Sequence, residues 1–316
     1  MSSAPPPDRP LVSVIVPSFN QGPYLRASLH SILAQAYRPL EIVVVDGAST
    51  DDTVAILREM SAQHPELRWI SERDSGPADA VNKGLRLAKG RYAGIQSSDD
   101  VYYPGALEAA VGVLEQDPDC RMVFGDCDSF ENDGRRSAPT QLPAFSWASA
   151  FGRAWCYPQG SILFDLELAR EVGGWNAGYY ACDLDFWMRL SFRTRPRKVD
   201  HVMYGWRRYP EQRTRSDRHA RIVEDYRRMI DDSPDLRRAT PQIRRWAQAS
   251  CHIIAIRFHP TGSLASRRWH LLQASLLHPT HWRYVTPDNT RELLPGFAWA
   301  RRLKRRVLGP AQPDST

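Results

Sequence analysis

Between Leu11 and Gln96 the chain alternates two rhythms, and that alternation leaves few folds open. Leu11–Pro17 reads LVSVIVP and Leu40–Val45 reads LEIVVV. Runs this continuous in Val and Ile predict strands buried on both faces, as in a parallel sheet. Tyr24–Ala36 lies between them and repeats Leu25, Leu29, Ile32 and Leu33 at helical spacing. After Asp46 the turn Gly47–Asp52 supplies capping residues for a helix over Thr53–Ser61. Arg68–Ser71 predicts a third strand, Pro77–Ala88 a third helix closed by Gly90, and Arg91–Gln96 a fourth strand. Strand and helix in strict alternation with short connections is the pattern of a doubly wound α/β sheet.

Such sheets bind ligands beyond the carboxyl ends of their strands. Asn20, Asp46, Asp74 and the adjacent pair Asp99-Asp100 all fall at such ends. Two neighbouring acids are costly unless they are solvated or face a cation, and a hard divalent ion bearing a phosphate ligand is one answer. The alternative is a solvated turn ahead of a helix opened by Pro104. The first strand is followed by Pro17-Ser-Phe-Asn-Gln-Gly22-Pro23, which has neither a Gly-x-Gly-x-x-Gly fingerprint nor a P-loop. Phosphates would therefore be held through a metal and not by a glycine cradle.

Farther along, Ala106–Glu115 predicts a helix and Arg121–Gly125 a strand. Asp126, Asp128, Glu131 and Asp133 read as a solvated loop, with Glu131–Gly134 a hairpin turn. Trp147, Trp155 and Tyr157 flank the Pro158–Ser161 turn before a strand at Ile162–Phe164, either stacking on sugar or packing internally. Asp183 and Asp185 open a helix at i and i+2, so they do not share a face and should have different jobs. Helices are expected over Asp217–Asp231, Pro241–Phe258 and Ser263–Leu277. A short basic amphipathic stretch, Phe297–Leu308, could lie on an anionic membrane or be a plain tail. Lys and Arg number 15 against 25 acids in residues 1–188, and 27 against 11 in 189–316, so the net +6 is a difference of −10 and +16. The basic half suggests an anionic partner. Five cysteines without a Cys-x-x-Cys pair predict reduced thiols in a cytoplasmic protein and no structural zinc. No apolar run reaches 18 residues, and the Ser/Pro-rich start, 1–10, reads as a disordered leader.

Val12-Ser-Val-Ile-Val-Pro-Ser-Phe-Asn20, Val45-Asp-Gly-Ala-Ser-Thr-Asp51, Asp74-Ser-Gly-Pro-Ala-Asp-Ala-Val-Asn82-Lys-Gly84 and Ser98-Asp-Asp100 stand in the order and spacing of the family-2 inverting glycosyltransferases, which this chain resembles over about residues 11–215. The resemblance implies the GT-A fold: a Rossmann-like, mostly parallel central sheet flanked by helices, here with a C-terminal helical extension. It divides the chain into a GT-A domain at 11–215 (a nucleotide-sugar half, 11–105, and an acceptor and catalytic half, 106–215), a helical extension at 216–296 and a basic tail at 297–316. The activity implied is metal-dependent, inverting transfer of a sugar from a nucleotide diphosphate, most readily a UDP-sugar, to a glycan or polyprenyl-diphosphate-linked acceptor in surface polysaccharide assembly.

The same resemblance implies roles for individual residues. Pro17, Ser18, Asn20, Asp46, Asp74 and Asn82 would line the nucleotide; Asp99 the donor ribose or sugar; Asp100 would hold Mn2+ or Mg2+. Asp183 would be the base, with Asp185 as its alternative. Three departures stand out. Gly47 replaces a second acid next to Asp46, Cys182 replaces the acid before Asp183, and Tyr209 stands where many relatives have a histidine. Without that histidine, Arg207, Arg208 or Arg213 could cover the diphosphate. The Gln-x-x-Arg-Trp string of processive synthases occurs only at Gln242–Trp246, too far along, and reads as chance. Two other classes compete. A sugar-phosphate nucleotidyltransferase would need a glycine-rich basic loop that Ser18–Pro23 lacks. A basic membrane- or nucleic-acid-binding module would not require acids at strand ends, and no nucleic-acid partner is expected.

Overall fold

The computed structural model describes residues 9–155, 157–210, 212, 219–258 and 263–281. They form two compact units: residues 1–142 with 157–215, and residues 143–156 with 216–316. The segment 143–156, read from sequence as part of the sheet domain, thus belongs with the helical unit.

The first unit is built on one eight-stranded sheet. β1 (Val12–Ser18), β2 (Leu40–Asp46), β3 (Leu67–Ser71) and β4 (Tyr92–Ile95) are parallel and alternate with α1 (Gly22–Leu33), α2 (Thr53–Gln63) and α3 (Pro77–Leu87). The four predicted strands and three helices are therefore present, with ends displaced by a few residues. β5 (Val101–Tyr102), α4 (Ala106–Gln116), β6 (Met122–Glu131), β7 (Ile162–Asp165), α6 (Leu166–Glu171), α7 (Cys182–Ser191) and β8 (Arg197–Arg208) complete the unit. The strand order is β3-β2-β1-β4-β7-β6-β8-β5. β7 is antiparallel to both β4 and β6, and β5 is antiparallel to β8.

The apolar runs do what continuous hydrophobicity requires. Val12, Val14 and Val16, with Ile42 and Val44, pack in one core with Leu25, Leu29, Leu57 and Leu107. Val43 and Val45 face the other way, against Ala80. On that second face α3 lies so close that a Cβ on Gly84 would stand 2.3 Å from Ile15 Cγ2. Both faces are buried, so no polar alternation is needed.

The order of winding creates the site. β1 leads to β2 and β3 on one side, and then the chain crosses to place β4 on the other side of β1. The carboxyl ends of β1 and β4 thus flank a topological switch point, where no crossover connection fills the crevice. Ser18–Gln21 leave one side of it and Gln96–Asp100 the other.

Two readings downstream are corrected. Asp126 and Asp128 are not in a solvated loop: they lie on β6 and are buried. Asp126 accepts the Leu142 N–H at 2.7 Å and pairs with Lys198 at 3.2 Å; Asp128 pairs with Arg136 at 2.8 Å. Glu131 and Asp133 do belong to an exposed hairpin closed by Arg135, with Gly134 at φ +85°. β8 was not foreseen as a strand. Its segment Arg197–Arg208 is polar at both ends and carries no clean alternation.

In the second unit, α10 (Pro241–Phe258) packs against α5 (Trp147–Gly152), α8 (His219–Asp232), α9 (Pro234–Arg238) and α11 (Leu264–Leu277). Trp147 and Trp155 join Phe145 and Phe151 in an aromatic cluster with centroids 5.5–6.2 Å apart, so packing is their role. Tyr157 is buried against Phe124 in the first unit. Trp246, the end of the synthase-like string, stacks on His278. The leader up to residue 8 and the tail 297–316 lie outside the described residues. Arg9 pairs with Glu108 at 2.7 Å and lies over the Tyr37 ring. Cys120, Cys127, Cys182 and Cys251 are free thiols; Cys156 is outside the described residues. Among the described residues, no helix is long and apolar enough to cross a membrane.

Candidate active site

The loops after β1 and β2 are stitched together by short polar side chains. Asn20 donates its N–H to Ser49 Oγ at 2.7 Å and accepts the Thr50 N–H on Oδ1 at 2.9 Å. It sits at φ +51°, a left-handed conformation that asparagine tolerates better than most residues. Gln21 N–H reaches Thr53 Oγ1, and Gly22 N–H reaches Asp51 Oδ2. Asp46 is fully buried: its carboxylate accepts bonds from Ser49 N–H at 3.0 Å, Ser71 Oγ at 2.6 Å and Ser49 Oγ. Three bonds from the Ser49 and Ser71 side chains and the Ser49 backbone thus fix the Asp46 carboxylate at the end of β2 and shape the loop that follows.

Asn82 is engaged within the fold as well. Its amide grips the Trp175 backbone on both sides, accepting the N–H and donating to the carbonyl at 2.8 Å each. It clamps α3 to the Gly173–Trp175 turn.

Other residues of the crevice are open. Ser18 is buried, yet its hydroxyl has no partner among the described residues. Phe19 beside it is 58% exposed, a large apolar ring at a strand end that the motif reading passed over. Asp74 is half-buried. Its Oδ1 accepts the Gly76 N–H at 2.9 Å, and its Oδ2 hangs over Gly47. A Cβ at residue 47 would stand 2.7 Å from that oxygen. The glycine that departs from the family pattern thus makes room for the carboxylate of Asp74.

The acid pair at the end of β4 is split by burial. Asp100 is buried, with Oδ1 taking the Arg207 N–H at 2.7 Å and Oδ2 the Tyr204 hydroxyl. Burial first, then the Asp99 charge, hold its carboxyl well above the ordinary carboxylate range, against the bonds from Tyr204 and Arg207. Asp99 is half-buried; Oδ2 accepts the Tyr209 hydroxyl at 2.8 Å, and Oδ1 takes no bond from a described residue. Asp100 is thus tied to β8, while Asp99 keeps one carboxylate oxygen without a bond from a described residue. Tyr209 packs tilted against Tyr24 with ring centroids 4.7 Å apart, and its ring is buried.

Arg207 holds the pair from behind. Its Nε donates to the Asp99 carbonyl at 2.7 Å, Nη1 reaches Asn132 at 3.0 Å, and its guanidinium lies over Phe130 and Tyr24. Arg208 is exposed, over the Trp206 ring. Arg213 lies outside the described residues. Pro17 is half-buried at the end of β1.

Asp183 is half-buried in the first turn of α7, which is anchored on the sheet by Phe186 and Trp187 against Phe164 of β7. Asp185 is buried and pairs with Arg189 at 2.6 Å; Arg189 also donates to the Val172 and Gly174 carbonyls. Through Arg189, Asp185 ties the helix to the preceding turn.

A divalent cation can be tested against these groups. Among the described residues no three His, Cys, Asp or Glu side chains cluster as a metal cage. Asp99 with one open oxygen, backed by Asp100, fits an Mn2+ or Mg2+ ion that brings diphosphate oxygens and water as its other ligands.

The profile of the family described as Glycosyl transferase family 2 matches residues 13–171. Chondroitin synthase of Escherichia coli is 35% identical over 184 residues, 58% of this chain and 26% of that protein. The O-antigen biosynthesis protein RfbC of Myxococcus xanthus is 31% identical over 191 residues, 59% of this chain and 15% of that protein. The chain thus spans about a quarter or less of the length of these two curated relatives. Among solved structures, Staphylococcus aureus TarS in complex with UDP-GlcNAc superposes with a TM-score of 0.63 at 17% identity, covering 92% of each chain. The mannosyltransferase PcManGT of Pyrobaculum calidifontis, in complex with GDP-Man and Mn2+, gives 0.60 at 23% identity, covering 94% of this chain and 81% of that one. The shared fold is GT-A.

Proposed function

The chain belongs to glycosyl transferase family 2, and from that premise we propose that it is a metal-dependent, inverting glycosyltransferase using a uridine-diphosphate sugar. The observation that carries the donor site is the switch-point crevice, where the Ser18 hydroxyl, Asp74 Oδ2 and Asp99 Oδ1 are polar atoms without partners among the described residues. Unsatisfied acceptors and donors grouped at one strand edge are expensive unless a ligand meets them.

Asp74 Oδ2 takes no bond from a described residue, and an open carboxylate oxygen there supports a base with a ring N–H, as in uracil; cytosine and adenine have no ring N–H to give. Phe19 offers a face on which the base stacks. PcManGT with GDP-Man and TarS with UDP-GlcNAc both carry nucleotide sugars on this fold, and uridine is the reading put to the test here.

Asp99 would hold the ion, with Tyr209 orienting its carboxylate and Asp100, Tyr204 and Arg207 fixing the loop from beneath. When bound, the cation neutralises the departing diphosphate as a Lewis acid. Arg208 lies exposed at the end of β8, available to phosphate. Asp183 takes the proton of the acceptor hydroxyl as that oxygen attacks the anomeric carbon from the face opposite the diphosphate, which gives inversion in one displacement. The names of the chondroitin and O-antigen relatives support assembly of a surface polysaccharide or glycoconjugate on a lipid-linked acceptor, at the cytoplasmic face of a membrane. The test is thermal melting with UDP, dTDP, GDP and CDP, each with and without Mn2+, followed by UDP-sugar hydrolysis. A metal-dependent shift with UDP supports the reading; no shift with any nucleotide removes it.

A further inference from the structure

α10 and α11 form a hairpin with an unusual surface. Residues 241–277 contain five arginines, Arg244, Arg245, Arg257, Arg267 and Arg268, and no Asp or Glu. Leu271 and Ala274 of α11 point inward and are buried. On its other side Trp269, Leu272 and Leu276 are 53%, 56% and 67% exposed, three of the six large hydrophobic side chains exposed among the described residues. Their spacing of three and four residues places them on one stripe of the helix. Arg268 is exposed next to the stripe. The Trp269 ring is braced edge-on by His252 and His270, at 5.3 and 5.0 Å. It is thus presented outward in a fixed orientation.

A helix that buries one side in its own unit and shows Trp and Leu on the other, in a hairpin whose own sequence carries arginines and no acid, is complementary to one kind of partner. We propose that α11 docks on an anionic phospholipid surface, with Trp269, Leu272 and Leu276 entering the interface and the hairpin arginines meeting the headgroups. Indole rings favour the boundary between hydrocarbon and water, and arginine stems reach along apolar surface while the guanidinium stays with phosphate. That the hairpin itself carries no acid matters as much as its cations, because an acid on it would be repelled by the negative surface potential. This contact is separate from the basic stretch at 297–308 and is carried by a helix that also belongs to the packed unit.

The experiment is co-sedimentation of the full chain with vesicles of phosphatidylcholine alone and of phosphatidylcholine with about one third phosphatidylglycerol, a fraction in the range that gives a negative surface potential. Wild type should pellet with the anionic vesicles, be released by high salt and stay in solution with the neutral ones. The triple variant Trp269→Gln, Leu272→Gln, Leu276→Gln should lose binding by roughly tenfold or more, since the apolar part of interfacial binding scales with buried area. An unchanged UDP-induced melting shift in the variant shows that it is folded. Equal binding by the variant, or no binding by wild type, overturns the proposal. So does a wild type that light scattering shows to be a dimer while the variant is a monomer, because the stripe is then covered by a second copy.

Discussion

Replacing Asp74 by Asn is the sharpest perturbation of the donor pocket. The side chain is nearly isosteric. Its oxygen can keep the bond that Oδ1 now makes to the Gly76 N–H at 2.9 Å. The amide nitrogen then takes the place of Oδ2, above Gly47. Under the proposed uridine donor, a charged acceptor for the uracil N–H becomes a neutral donor facing a donor. A hydrogen bond to a charged group contributes about 1.5–3 kcal/mol. Its loss should weaken UDP binding by roughly 10- to 150-fold, at 1.4 kcal/mol per decade. CDP should gain relative to UDP, because cytosine carries a ring nitrogen that accepts. Gly47→Ala is the companion variant. Its Cβ would stand 2.7 Å from Asp74 Oδ2, so the carboxylate must turn away, and UDP affinity should fall without any change of charge. Isothermal titration with UDP, CDP and GDP at fixed Mn2+ reads all of this directly. UDP affinity within twofold of wild type in Asp74→Asn, or a wild-type preference for GDP, would refute the reasoning.

Other consequences can be measured alongside. Tyr209→Phe removes the hydroxyl that orients Asp99; the Mn2+ concentration for half-maximal activity should rise roughly fivefold or more, while UDP binding without metal stays unchanged. Asp183→Asn should lower kcat by about 10²–10⁴ with donor affinity intact. In Asp185→Asn the Arg189 charge loses its partly buried partner, so the main effect should be a stability loss of about 2–4 kcal/mol in a denaturant melt. Burial lowers His252 and His281 from 6.5 to about 4. Their unfolded forms bind protons that the folded forms do not, so stability is full above about pH 6.5 and is lost as pH falls towards 4. A melting temperature that declines through that window, and declines less in His281→Asn, is the expected result.

Much of this molecule is readable in the order of its residues because the sheet is buried on both sides. Uninterrupted Val and Ile at Leu11–Pro17 and Leu40–Val45 leave little alternative to a covered parallel strand, and both are such strands. β8 was hidden for the opposite reason. It lies between β6 and β5, and its residues are chosen for what they touch: Tyr204 for Asp100, Arg207 for Asp99 and Phe130. The motif positions were also visible, whereas the bonds their side chains make within the fold were not. Asp46, Asp100 and Asn82 carry the expected identities, yet each gives its polar atoms to the backbone or to neighbouring side chains. Asp74 and Asp99 keep an oxygen open. No spacing rule separates these two groups, because the difference depends on which loop happens to reach a given carboxylate. Gly47 did carry a signal: an omitted acid at a strand end leaves room that another side chain can take.

The bonds to Asp99 and Asp100 also bear on how the protein is made. Tyr204, Arg207 and Tyr209 follow their partners by 104, 107 and 110 residues. On the ribosome the two acids emerge with β4 and stay hydrated until β8 has been synthesised. Contacts of such separation form late, because loop closure has to precede them. A chain released at residue 171 would hold the four parallel strands and both acids, and none of the three donors. Its Asp100 would have none of these partners and would stay hydrated, so the carboxylate pair would remain an ordinary wet turn. In the growing chain, catalytic competence arrives with the last strand of the sheet rather than with the motifs that announce it.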